Sequence, residues 1–477
     1  MLPFSQPVPF SSGLQKRNNN NMIKKELSTF ILLAGALGSV PGHTSEIESH
    51  QSEIVSAIPV DNSNQAGWWS PMARHNGATY FAYNYQDNNN TGQHKVYVTR
   101  LDSNGNSTTT SLKEVNFSEW VHKDDFGHDQ PSIAVDGNGR VHVWADMHAD
   151  ADGWHYFRSQ PVGNDSTMEL LRNNELTDST PNTTGAFTYP IAATAPNGDI
   201  YLIVRNQPGR HNTPTPDYKG VGELYHWENT ISKWRLAGTF AEKDNAVVYP
   251  DDIAVDKDGN VHILWEWAYS HPRANRHYGS YLQYRPSEDA FFTAAGTRLT
   301  SPATTTTPGV VFQGVPPSRS FNSNDNGIQT AKLAVYGAEN KVSIAYRFYN
   351  DNKYQLYRKR WNGAWTQRET LESRPTIAAL GHTHNGQRAR VYYTLDGNTP
   401  NQNRLQVIER YTNTPWQKYV LSSKNIERIH ALELNSQEDL LYGVEICSGT
   451  TQKSDSSGHC SHSNGAKLSI LKVGSTL

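Results

Sequence analysis

Aligned on the prolines at 131, 190 and 250, the chain places His128, Tyr189 and Tyr249 just before the first strand of three successive repeats. His148, Arg205 and Glu266 fall at or just beyond the second strand of each. Antiparallel pairing brings the open ends of such a hairpin together, so all six residues are expected on one rim. An imidazole, with a pKa of about 6.5, takes a proton near neutral pH. A phenol, near ~10, is matched to giving one to an alkoxide-like leaving group. A guanidinium is a planar bidentate clamp for a carboxylate. These groups suit β-elimination on a uronic acid, in which a base removes the proton beside the carboxylate and an acid protonates the departing glycosidic oxygen. A cation lowers the energy of the enolate-like intermediate. Glycoside hydrolysis uses two carboxylates instead, and Asp129, Asp146 and Glu266 keep that chemistry open. Each residue also has a plainer role available: a tyrosine before proline can lid a sheet, a histidine in a turn can be hydrogen-bonded structure, and Arg205 can pair with Glu266. Gln130 beside His128, and Arg210 in the loop after Arg205, are further candidates to bind substrate. Arg210, His211 and Lys219 can equally form a solvated basic loop. His142 and His262 lie inside second strands and are expected to be structural.

The elements that would position these groups recur along the chain. Residues 132–135 and 141–145, joined by Asp136-Gly137-Asn138-Gly139, read as two short strands and a turn, since Asp-Gly and Asn-Gly between apolar runs signal a hairpin. Relatives of this unit begin near Trp69, Tyr189, Tyr249, Lys332, Pro375 and Ile429. Most are followed by an aromatic third strand, as at Val96-Tyr97-Val98 and Leu224-Tyr225-His226-Trp227, and then by a further strand with Trp, as at Trp234 and Trp365. Seven such units predict an all-β fold, a seven-bladed β-propeller in a single domain. Residues 53–60 are expected to pair with 467–473 to join the ends. Residues 304–317, rich in Thr and Pro, read as a long loop.

The chain has 477 residues, 24 Tyr and 12 Trp, ample for a packed core. Its formal net charge of -3 gives no case for nucleic-acid binding. Met22-Ile23-Lys24-Lys25, the apolar run 27–40 and the small residues after it have the form of a secretory signal. The run falls short of the roughly 20 apolar residues that span a membrane. The expected organisation is a non-native extension over 1–21, a signal peptide over 22–43 and the propeller over 44–477, secreted, with no membrane partner and monomeric.

At these residues the sequence resembles the secreted propeller lyases that cleave ulvan, the sulfated polysaccharide of green algae: polysaccharide lyase family twenty-five and its relative family twenty-four. The resemblance spans essentially the whole exported chain. It rests on the Gly127-His128-Asp129-Gln130-Pro131 turn, on His148, on Tyr189 with Arg205, and on Tyr249-Pro250. It implies endolytic cleavage between sulfated rhamnose and a glucuronic or iduronic acid, leaving an unsaturated uronate. It further implies that His128 and Tyr189 are the base and acid pair, that Arg205 neutralises the carboxylate, and that His148 and Tyr249 bind substrate. Two other functions stand beside it. One is a sialidase-like glycoside hydrolase, whose Ser-x-Asp-x-Gly-x-Thr-Trp turns are not found here. The other is a non-catalytic carbohydrate-binding propeller.

The chain has two cysteines, Cys447 and Cys460. In an exported protein they would form a disulfide by default. His459 and His462 flank Cys460, however, and pairing of 429–432 with 440–444 is expected to set His430 nearly opposite Cys447. Cys447, Cys460, His462 and His430 would make a tetrahedral zinc set, with His459 or His271 as substitutes for His430. The resemblance implies a structural zinc as well; the disulfide stays open. No cofactor is required by the chemistry itself.

Overall fold

Short aspartate turns set the strand pattern. The Asp136 carboxylate accepts from the N–H groups of Asn138 and Arg140 at 2.9 and 2.8 Å, and that of Asp256 from Asp258 and Asn260 at 2.9 Å each. Gly139 and Gly259 close these turns in the left-handed region, at φ 79° and 85°, where a Cβ would be strained. The same turn thus folds Ser132–Val135 onto Val141–Trp144 and Ala246–Val255 onto Val261–Tyr269. The computed structural model describes residues 45–46, 51–60, 64, 68–85, 94–122, 129–150, 153–162, 168–178, 185–208, 219–269, 276–314, 327–350, 353–373, 377–395, 404–445 and 466–474. All lie in the unit Thr44–Leu477; the unit Met1–His43, with the expected extension and signal, lies outside them.

Each of the seven expected hairpins pairs antiparallel. Besides the two above, Met72–His75 pairs with Ala78–Tyr85, Gly185–Thr194 with Ile200–Pro208, Ile328–Tyr336 with Lys341–Asn350 and Ile377–His384 with Arg388–Leu395. In the last, the C-terminal half of Gln417–Glu433 pairs with Asp439–Glu445. The expected third strands follow, among them His94–Leu101, Val221–Glu228 and Arg276–Arg285. Gln51–Val60 pairs with Ala466–Val473, joining Glu53 to Leu471 and Pro59 to Lys467. The first strands of all seven hairpins line one central cavity of about 430 Å³. Between neighbouring sheets lie apolar layers, such as the one holding Ile203, Phe240, Ile253, Trp265 and Leu282. The fold is all-β and propeller-like, with one short helix, Glu175–Asp178, among the described residues. No described helix is long and apolar enough to cross a membrane.

Two expectations differ in detail. Within the stretch read as a loop, Val311–Gln313 is a strand on the edge of the fourth sheet. Phe312 drives it, being 3% exposed and seated where Gly279 has no side chain; a Cβ there would approach its ring to 2.5 Å. Trp365 lies not in a fourth strand but in the turn before Glu369–Glu372, where it bridges to Trp361.

The core also carries neutral histidines. His142, fully buried, has its pKa held down to about 4 by burial, which outweighs the nearby Asp136 carboxylate. His382 is pushed down to about 3, by burial first and then by Arg358. Its Nδ1–H donates to the Arg390 carbonyl at 2.8 Å, and its Nε2 accepts from the Ser343 hydroxyl at 2.9 Å, so a second proton would break that arrangement. An unfolded histidine takes its proton near pH ~6.5, whereas these two take theirs near 4 and 3. The unfolded chain therefore binds more protons across that window, and stability must fall as pH drops through it, by about 1.4 kcal/mol per pH unit for each histidine. Thermal unfolding followed by tryptophan fluorescence is expected to give a steady Tm above about pH 7 and a progressive fall from about 6.5 toward 4. A Tm that stays level down to about pH 5 would contradict this account of the two groups.

Candidate functional site

Three successive sheets contribute to one rim, and in the third and fourth of the hairpins the ladder slips beside a proline at matched places. In the third hairpin Thr188 pairs with Arg205, the register then slips, and pairing resumes at Ile191 with Ile203. Pro190 sits in the slip, having no N–H to give to a ladder. Tyr189 before it takes φ 56°, a left-handed conformation that is unfavourable for a bulky residue by about 1–3 kcal/mol. The Tyr189 N–H reaches the Met147 carbonyl at 3.4 Å. The short strand His148–Asp150 has left its own hairpin and pairs with the third, with His148 opposite Thr188. In the fourth hairpin Tyr249 lies opposite Glu266 and Pro250 opposite Trp265, followed by a similar slip. The Tyr-Pro pairs therefore lie inside strands, at bulges, rather than ahead of the strands as their spacing suggested. Proline removed one ladder bond without ending the strand.

Arg205 is the centre of this cluster. Its guanidinium carbon lies 4.7 Å from the ring centroids of both Tyr189 and Tyr249, which are 5.6 Å apart. The His148 ring is 6.0 Å from Tyr189. Trp69, from the chain entering the first hairpin, packs edge-on against Tyr189 at 5.3 Å. Arg205 is 3% exposed and Tyr189 5%, while Tyr249 and His148 are half-buried. A cation held over aromatic faces away from water gains about 2 kcal/mol and offers a fixed positive charge to an incoming anion. Gly220 makes the space. A Cβ there would stand 3.1 Å from Arg205 Cδ and 2.8 Å from Val247 Cγ1. The Gly220 backbone also knits the third sheet to the fourth, donating to Ala246 O at 3.1 Å and accepting from Val248 N at 3.0 Å.

The structure thus brings together His148, Tyr189, Arg205 and Tyr249. Trp69 joins them without having been expected; its only sequence signal was a tryptophan two residues before Pro71, in the slot the tyrosines fill elsewhere. Gln130, expected to touch substrate, has a contact inside the protein. It is 1% exposed, and its side-chain nitrogen lies 3.5 Å from the Tyr442 hydroxyl. There it joins a buried net in which Asn84 ties the Asp129 carbonyl (3.0 Å) to Asn64 (2.8 Å). Lys219 is ion-paired with Glu242 and lies near Asp244. Asp129 and Glu266 are fully buried. His142 and His262 are structural: each ring lies 2.7 Å from a buried tyrosine hydroxyl, of Tyr156 and Tyr281, with an aspartate of the preceding turn on the other side.

His430 does not fit its expected place. Pairing runs outward from Glu433 opposite Asp439 and sets His430 opposite Tyr442. His430 lines the central cavity instead, and burial holds its pKa down to about 3. His128, Arg210, Cys447, Cys460 and His462, with His211, His271 and His459, lie outside the described residues.

Residues 78–373 match the family model described as "BNR repeat-containing family member". Among solved structures, the polysaccharide lyase Uly1 is similar with a TM-score of 0.62 at 13% identity, over 89% of this chain and 99% of that one. An ulvan lyase of family PL25 bound to -[GlcA(1-4)Rha3S]- is similar with a TM-score of 0.57 at 14% identity, over 89% and 95%. At such identities the likeness is one of fold. No curated protein matches the chain by sequence.

Replacing Gly220 by Ala is expected to drive the Arg205 side chain off the two tyrosine rings and to cost about 1–3 kcal/mol through overpacking. A crystal structure and a denaturation curve of the variant read both effects; an unmoved Arg205 at unchanged stability would remove Gly220 from this role.

Proposed function

For a chain that belongs to the BNR repeat-containing family, we propose the function of a secreted polysaccharide lyase that cleaves ulvan by β-elimination at its uronic acid. The observation that carries this is Arg205 stacked at 4.7 Å on both Tyr189 and Tyr249, with the His148 ring 6.0 Å from that of Tyr189. A guanidinium there can pair with the uronate carboxylate and stabilise the charge that grows on it as the C5–H bond breaks. His128 and Tyr189 exchange the two protons: one of them takes the C5 proton, the other delivers a proton to the departing O4. The C4–O4 bond breaks, and its loss leaves a C4=C5 double bond conjugated with the carboxylate. His148 and Tyr249 border the sugar. The fold shared with an ulvan lyase bound to -[GlcA(1-4)Rha3S]- supports a sulfated substrate of that kind. Export follows the basic start and apolar run at 22–40.

Glycoside hydrolysis is the less supported reading. In its two-carboxylate form it needs both to reach the sugar, and of Asp129, Asp146 and Glu266 only Asp146 has any exposure.

Incubation with ulvan separates the readings, because only elimination yields the ultraviolet absorbance of a conjugated unsaturated uronate; hydrolysis yields reducing ends without it. Tyr189→Phe and His128→Asn are each expected to lower turnover by about 10²-fold or more, the usual worth of a positioned acid or base, with the Tm kept. Arg205→Lys should lower turnover as well, since an ammonium cannot give the planar two-point contact. Full activity in Tyr189→Phe would take the phenol out of the mechanism.

A further inference from the structure

A second cluster of ligand-type side chains lies beside this site and plays no part in the chemistry above. His122, Asp129 and Asp146 each offer one ligand atom, and the three atoms lie within 4.8 Å of one another. They come from different elements. His122 ends the short strand Val121–His122, paired opposite His94 in the first sheet. Asp129 precedes the first strand of the second hairpin, and Asp146 follows its second strand. His122 and Asp129 are 5% and 0% exposed, and the Asp146 side chain is 19% exposed, so this is not a solvated acidic patch.

The surroundings hold each donor in place. The His122 ring stacks on Trp120 at 5.0 Å with an interplanar angle of 14°. The Asp129 carbonyl is tied to Asn84. Asp146 takes φ 51°, a left-handed conformation that aspartate adopts more readily than most residues, and its carbonyl accepts from His155 Nδ1 at 3.0 Å. The spacing is that of co-ligands rather than of direct partners. His122 Nδ1 stands 3.5 Å from Asp146 Oδ1, beyond the roughly 2.9 Å of an N–H···O bond. It is close to the separation of two ligands that each lie about 2.0–2.2 Å from one tetrahedral ion. The Asp146 carboxylate also has the His155 ring 3.6 Å from its other oxygen, which leaves the oxygen nearer His122 turned toward the cluster.

We propose that His122, Asp129 and Asp146 form a three-ligand site for a divalent first-row transition cation, Zn²⁺ or Mn²⁺. One imidazole with two carboxylates suits those ions, whereas Ca²⁺ and Mg²⁺ prefer oxygen alone. Three protein ligands leave a further position for water. The ion fastens the first sheet to the second at the rim. Asp129 directly follows His128 in the chain, and Asp146 precedes Met147, whose carbonyl receives the Tyr189 N–H. The ion is therefore a positioning device for both partners of the proton exchange, and the site stands whatever reaction the rim performs.

The full chain, stripped with chelator and titrated with Zn²⁺ by calorimetry, tests this in a Cys447→Ser, Cys460→Ser background that removes any thiolate site. One equivalent is expected to bind and to raise the Tm. In the same background, Asp146→Asn and, separately, His122→Asn are expected to weaken binding by more than about 100-fold, beyond the effect of losing an outer partner. Co²⁺ loaded into the unmutated chain gives a readout free of folding effects: visible bands of a nitrogen and oxygen site that persist when the thiols are alkylated. No bound equivalent in the cysteine-free background, or equal binding in Asp146→Asn, overturns the site. Neither outcome bears on whether the chain eliminates ulvan, which the absorbance assay reads separately.

Discussion

A guanidinium that is 3% exposed needs its surroundings built around it, and much of the rim serves that end. Moving a cation out of water is costly unless favourable contacts replace its hydration. Arg205 has two tyrosine faces for this purpose, drawn from neighbouring sheets. Both rings reach it because their strands slip register beside a proline. The floor under it is a glycine whose backbone joins the same two sheets. The positive charge is thereby set in place before any ligand arrives, and an anion binding there need not order it.

The same economy of position separates groups that look alike in composition. The Glu266 and Asp129 side chains stand next to the rim yet have no exposure, and histidines such as His142 and His382 are kept neutral in the core. What decides a residue's part is the sheet edge it stands on.

Much of this was legible in the chain. Turn residues at fixed offsets located the seven hairpins, and the end-to-end pairing of 53–60 with 467–473 followed from needing partners for the outermost strands. The shared register of Tyr189, Arg205 and Tyr249 was readable because each repeats against a proline. What was not legible depended on contacts without a local period. Trp69 reaches Tyr189 from two sheets away, and the one local sign, a tryptophan two residues before Pro71, does not point to that partner. His122 gave no signal because its strand of two residues pairs with a third strand, not with the next repeat. Gln130 sits close to His128 in sequence, and its side chain lies 3.5 Å from the Tyr442 hydroxyl, a contact between distant parts of the chain that no local pattern marks. His430 was misjudged because a ladder advances both strands together, which sets it opposite Tyr442.

One element bears on how the molecule comes apart. The 17-residue strand Gln417–Glu433 pairs with Arg404–Tyr411 along its first half and with Asp439–Glu445 along its second. The sheet it enters also takes in Gln51–Val60, from the N-terminal part of the described residues, through Ala466–Val473. The last two sheets and the N-terminal strand are thus one continuous hydrogen-bonded body. Fraying of either terminus has to tear that body rather than peel away a single blade, so local opening here is coupled to a much larger loss of order, and a protease probing the ends meets cooperative resistance.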